Sequence, residues 1–169
     1  MQRPKLNFSV FIICLLCPLY AVAQENSTVF GWIEEGLLFP EKVSVKVKLD
    51  TGALTSSIDA KEIKRFEKSG EKWVKYNVDV KDNDTGKSVR IPFERRVERL
   101  VKIHGAGGTD HRVVVRMKIC LGSKVYEEEF SLNNRAKMLY PILLGRKTIE
   151  NLGLVDVGRT FTIEPRCSK

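Results

Sequence analysis

A chain of 169 residues, 43% hydrophobic and 30% charged, is long enough to bury the core of one ordinary domain and too short to require two. Its formal charge of +8 comes from 29 Lys and Arg against 21 Asp and Glu. Those cations are scattered through strand-like segments with no aromatic-rich basic cluster, which argues against nucleic acid as a partner. It leaves either a solvated surface or a preference for acidic partners.

At the N-terminus, Arg3 and Lys5 precede an apolar run from Phe8 to Tyr20 that ends in Ala21-Val22-Ala23. This is the pattern of a secretory signal peptide over 1–23, cleaved after Ala23, and it predicts an exported, periplasmic protein. The run is short for a membrane span and polar residues 24–28 follow at once, so no stable span is expected after cleavage. Cys14 and Cys17 follow Ile13 and Leu16, where a lipoprotein signal needs a small residue. Cleavage would leave 169 − 23 = 146 residues, 24–169, as one domain with its core over about 29–165. Its charge would be 27 − 21 = +6. Cys120 and Cys167 remain, and the sequence leaves open a disulfide between them or a buried thiol at Cys120.

In chain order, Val43, Val45, Val47 and Leu49 alternate with Ser44, Lys46, Lys48 and Asp50, the period of a half-buried strand that ends on Asp50. Ser56 to Lys68 carries helix formers, with Ile58, Ile63 and Phe66 loosely on one side and Gly70 beyond, and predicts a helix. Trp73–Val80 and Ser88–Phe93 read as a hairpin around the turn cluster 82–86. Leu100–Ile103 and Arg112–Leu121 form a second hairpin about the tip Gly105-Ala106-Gly107-Gly108. A strand over Val125–Leu132 carries Glu127-Glu128-Glu129, read as a solvated face or a guard on an edge. Pro141–Leu144 is a short apolar strand, Lys147–Leu152 a brief helix ended by an αL glycine at Gly153, and Thr160–Ile163 a closing strand. The sum predicts an all-β closed barrel with one or two short helices.

The chemistry lies in Leu49-Asp50-Thr51-Gly52-Ala53: a carboxylate at a strand end, a hydroxyl, and a glycine free to take positive φ. Hydrolysis of an amide by water needs one carboxylate to accept a proton and a second, neutral one to polarise the carbonyl. The motif occurs once, so two such groups require two copies of the chain about a two-fold axis.

The series Asp50-Thr51-Gly52-Ala53, then Gly105-Ala106-Gly107-Gly108, then Ile142-Leu143-Leu144-Gly145-Arg146 resembles the retroviral-type aspartic peptidases in order and character. A closer likeness is to the bacterial retropepsin-like family labelled ATP-dependent zinc protease, some members of which are encoded beside ATP-grasp glutamate ligases. It is carried by Gly31-Trp32, the stretch Lys48 to Ser57, Asn134-Arg135 through Met138, Leu143 to Arg146, Val155-Asp156 and Gly158-Arg159. That family usually has Arg where Leu54 stands and often His where Asp59 stands. The resemblance implies an acid-protease fold with an added hairpin around 72–93. It implies Asp50 as general acid or base, Thr51 bonding across the two-fold, Gly52 permitting the turn, and a flap at Gly105, Ala106, Gly107 and Gly108 that covers a peptide substrate.

Arg146, after the core strand, is expected to tie a loop carboxylate. The only histidines are His104 and His111, with no H-E-x-x-H and no P-loop, so the sequence gives no complete metal site and no cofactor. The expectation is a homodimeric aspartic endopeptidase. Its alternatives are a non-catalytic peptide- or envelope-binding domain on the same fold, or a zinc-dependent peptidase.

Overall fold

The computed structural model describes residues 27–105 and 108–167. The signal-peptide reading of 1–23 and the flap residues Ala106 and Gly107 lie outside them. Eleven strands and one short helix make up the described residues: β1 (Val29–Leu38), β2 (Val43–Leu49), β3 (Ser56–Asp59), β4 (Lys61–Lys68), β5 (Glu71–Lys81), β6 (Ser88–Arg96), β7 (Arg99–Gly105), β8 (Gly108–Leu121), β9 (Lys124–Asn133), β10 (Ile142–Leu144), α1 (Arg146–Leu152) and β11 (Leu154–Thr160). No helix among them is long and apolar enough to cross a membrane.

Eight strands form one mixed sheet in the order β11-β1-β2-β10-β3-β9-β8-β7. Leu37 and Leu38 of β1 also pair with Cys120 and Ile119 of β8. That contact closes β1, β2, β10, β3, β9 and β8 into a ring, so the expected all-β barrel is what the chain forms. Its interior takes the alternate residues that the sequence pattern pointed inward: Val45, Val47 and Leu49 from β2, Val115, Met117 and Ile119 from β8, and Ile142 and Leu144 from β10. Each such side chain contributes about 1.5–3 kcal/mol by leaving water.

The helix expected over Ser56–Lys68 is absent, and two strands stand in its place. All four residues of β3 are buried, because the strand threads between β10 and β9, and that tertiary pairing overrides the local helix preference. Beyond it, Ser69 (φ 52) and Gly70 (φ 77) connect β4 to β5 as a two-residue turn with positive φ at both positions. Gly70 is therefore half of a hairpin turn rather than a helix stop. The β4-β5-β6 sheet is one strand larger than the hairpin expected there. It turns Val74, Tyr76, Val78, Val80, Ile91 and Phe93 into the same core as the barrel.

The closing strand falls at Leu154–Thr160, earlier than expected, and runs parallel to β1. Gly153 is not in the αL region but at φ 145, ψ −142, where a Cβ would lie 2.3 Å from the Thr28 carbonyl oxygen. The segment after β11 is held at two points. The buried Glu34 carboxylate accepts from Thr162 Oγ1 at 2.5 Å and from the Thr162 amide at 3.1 Å, and Cys167 is disulfide-bonded to Cys120.

Candidate functional site

Asp50 leaves the end of β2 with its amide donating to the Leu144 carbonyl at 2.8 Å, so the neighbouring β10 fixes where the carboxylate stands. Asp50 Oδ1 accepts from the Gly52 amide at 3.0 Å, and Oδ2 lies 3.3 Å from Lys48 Nζ. Burial alone draws the Asp50 carboxyl upward, but the Gly52 amide, the Lys48 ammonium and the Ala53 amide outweigh it and hold the group below its ordinary value. Gly52 does not adopt the positive φ expected of it. Its value lies in its amide and in the missing side chain, since a Cβ there would meet Asp50 Oδ1 at 3.2 Å. Thr51 is exposed, and its hydroxyl has no hydrogen bond among the described residues.

The junction of β10 with α1 braces this turn from behind. The Arg146 and Lys147 amides donate to the Ala53 and Leu54 carbonyls at 2.9 and 3.2 Å. Arg146 Nη1 donates to the Thr51 and Gly52 carbonyls at 2.9 and 3.1 Å, so its partners are backbone oxygens rather than the loop carboxylate expected. Buried Ser56 Oγ accepts from the Gly145 amide at 3.0 Å and lies 2.7 Å from Thr148 Oγ1. Gly145 is required by closeness, because a Cβ would fall 2.7 Å from the Thr55 carbonyl carbon.

A cavity of about 380 Å3 lies between this turn and the β7–β8 hairpin, bounded by Ala53, Leu54 and Thr55 on one side and Val101 and Ile103 on the other. Five cations also line it: Arg99, Lys102, Arg112, Arg135 and Lys147. Arg135 is fixed on three sides. Its amide donates to Asp59 Oδ1 at 2.5 Å, Nη1 to Ser57 Oγ at 2.9 Å and Nε to the Tyr140 carbonyl at 3.2 Å. The flap glycines Gly105 and Gly108 pair at the hairpin tip, with Gly108 at φ 103.

Residues 29–166 match the family model described as RimB-like, retropepsin-like aspartic endopeptidase RimB. The chain belongs to this family. Among similar proteins, a "probable alpha-L-glutamate ligase" of Shewanella pealeana is 33% identical over 143 residues, covering 83% of this chain and 31% of the ligase. One of Desulfotalea psychrophila is 34% identical over 125 residues, covering 73% of this chain and 27% of that protein. The chain thus spans about a third of the length of these curated relatives. A solved Legionella pneumophila protein of unknown function superposes with a TM-score of 0.70 at 36% identity, covering 81% of this chain and 98% of that one.

The donors around the turn of this RimB-like chain do not fit the zinc that the resemblance brought with it. Asp50 Oδ2 already faces an ammonium, and no group of three or more His, Cys, Asp or Glu comes together among the described residues. The motif gave no sign of Lys48 as a partner of Asp50, although two residues apart on one strand puts both on the same face. Arg135 stood in a family stretch without a role, and nothing local joins it to Ser57 and Asp59 across more than 70 positions.

Proposed function

We propose that this chain is an aspartic endopeptidase whose active form is a homodimer, with Asp50 of two copies sharing one water and one proton. The single observation that carries the reading is the fixed, solvent-reachable Asp50 carboxylate on a turn braced by β10 and α1, beside a cavity lined on its far side by Val101 and Ile103 of β7 and Arg112 of β8. The ionised Asp50 takes a proton from the water as its oxygen attacks the amide carbon. The protonated Asp50 of the second copy gives its hydrogen to the carbonyl oxygen, and collapse of the tetrahedral species passes a proton to the leaving amine. The Thr51 hydroxyl in each copy, exposed and without a hydrogen bond among the described residues, is left to bond across the two-fold. The β11 margin of the barrel sheet carries the exposed Leu154 and Val157, a surface that pairing would cover.

For substrate we propose acidic peptide tails, supported by the five cations of the cleft and by the glutamate-ligase names of the relatives. The Cys120–Cys167 disulfide supports an exported, oxidising location. Asp50→Asn tests the reading. Hydrolysis of Glu-rich peptides should vanish while the circular dichroism stays that of the parent and melting remains cooperative, lowered only by the lost contact with Lys48. Retained turnover in a folded Asp50→Asn protein refutes it.

A further inference from the structure

A second cavity, of about 510 Å3, lies where the inserted sheet meets the barrel. Its size is within the range of about 300–1,000 Å3 usual for ligand sites. Phe66 of β4, Trp73 of β5, Val97 of the β6–β7 connection and Leu100 of β7 give it an apolar lining. Leu100 is 53% exposed. A single exposed leucine needs no explanation, but one that faces two aromatic side chains across an open cavity is a different matter. The two strands at its margins, β4 and β7, are the outermost of their sheets, and neither has a strand partner on its outer edge among the described residues. The Trp73 indole N–H is buried without an acceptor among the described residues, so Trp73 offers the cavity apolar ring surface rather than its polar edge.

This cavity continues the substrate cleft rather than standing apart from it. Arg99 lines both, its guanidinium held by Glu129 Oε2 at 2.6 and 2.9 Å. Leu100 and Ile103, three residues apart on β7, face opposite sides of the strand, so the two cavities flank it. A peptide paired along the outer edge of β7, with its own side chains alternating, reaches both. Three strand residues span about 10 Å, so an extended peptide lying along β7 reaches the second cavity about three residues from the one opposite Ile103. Its charged lining is mixed, Arg65, Lys72 and Arg99 against Glu67 and Glu98, so its selectivity rests on the apolar side chains rather than on charge.

We infer that the inserted β4-β5-β6 sheet supplies a distal subsite, one that takes an aromatic or branched apolar side chain of the substrate peptide between Phe66, Trp73 and Leu100. The inference rests on the peptidase reading above. It makes the enzyme select acidic tails by an apolar residue some way from the bond that is cut, and it gives the inserted strands a task beyond their share of the common core.

The test uses internally quenched Glu-rich peptides of about six and about twelve residues, the longer set scanned with Phe at each position. The parent should cut the long set best when Phe lies about three residues or more from the scissile bond. Leu100→Asp and, separately, Phe66→Ser should raise KM for those peptides roughly tenfold or more and leave KM for the short set unchanged. Equal effects on both sets, or none, overturn the subsite. A binding arm separates this failure from that of the peptidase reading. In an Asp50→Asn, Trp32→Phe protein, Trp73 is the sole tryptophan, since the sequence holds two. Long Phe-bearing peptides should change its fluorescence, and Leu100→Asp should abolish the change. If they do so while the parent cuts nothing, the subsite stands and the peptidase reading falls. Cleavage with no Trp73 response overturns the subsite, and neither binding nor cleavage overturns both.

Discussion

Replacing Arg146 by Met keeps most of the side-chain length and removes the two hydrogen bonds from Nη1 to the Thr51 and Gly52 carbonyls. Bonds from a charged donor contribute up to about 3 kcal/mol when buried, but Arg146 is exposed, so solvent screening brings each to about 0.5–1 kcal/mol and the pair to about 1–2 kcal/mol. In a domain of this size each kcal/mol shifts Tm by about 2–4 °C, which sets the expected loss at about 2–8 °C. The effect on catalysis should be larger than on stability. The same two carbonyls belong to the residues that follow Asp50, and displacing a reacting group by about 1 Å costs up to about 100-fold in rate. Scanning calorimetry and peptide turnover on Arg146→Met, with Arg146→Lys as the partial rescue that still offers a cationic donor, give both numbers. A Met variant that melts within about 1 °C of the parent and turns over equally well refutes the view that Arg146 positions the turn.

Lys48→Met should raise the Asp50 pKa by removing the ammonium 3.3 Å away. A depressed carboxyl contributes stability above its unfolded value of about 3.9 and loses it as pH falls through the folded value. The variant should therefore lose part of its neutral-pH stability, and the acid limb of kcat/KM should move to higher pH; an unmoved limb in a folded variant rejects the coupling. Cys120→Ala opens a bridge whose cysteines are 47 positions apart, for a loss of about 4 kcal/mol in the chain-entropy view and a Tm lower by roughly 10 °C. Mass measurement without reductant should show the parent two hydrogens lighter than its reduced form. Specific activity should fall on dilution as the proposed pair dissociates, whereas concentration-independent activity with a monomer in sedimentation contradicts a shared site.

Period-two alternation locates β2, β5 and β8, which turn alternate residues into the core, while β6 reads as the return arm of a hairpin and β9 as the strand that follows β8. It fails for β3, whose four residues Ser56-Ser57-Ile58-Asp59 are all buried, so burial leaves no alternation to read. The polar members of that strand are tolerated because each finds a distant partner: Ser56 with Thr148, Ser57 with Arg135, and Asp59 with the Arg135 amide and Lys61. Those contacts also explain why the site was only half legible. Asp50, Thr51 and Gly52 are adjacent in the chain and announce themselves as a motif, while Lys147, Arg135 and Arg99 reach the cleft from three separate segments.

The arrangement separates what must stay fixed from what can vary. Around Asp50 most constraints are backbone or buried: the Leu144 carbonyl, the Gly52 amide, the Ser56–Thr148 hydroxyl pair, and a glycine at 145 that admits no side chain, with the exposed Lys48 and Arg146 added from outside. Such groups have few alternative positions, so the carboxylate is fixed within the single chain, the preorganisation that the proposed hydrolysis needs. In a single copy these donors favour the ionised form of Asp50. A proposed pair must nevertheless retain one proton, because two carboxylates about 3 Å apart do not both ionise, the general behaviour of aspartic-protease dyads. In such a pair Lys48 of each copy would work against that retained proton while relieving repulsion between the carboxylates, so assembly and proton uptake would be linked through the same 3.3 Å contact. The cleft cations Arg99, Lys102 and Arg112 and the inserted sheet sit outside this rigid centre, so under the proposed function they are the places where substitutions would alter peptide choice without moving the Asp50 carboxylate.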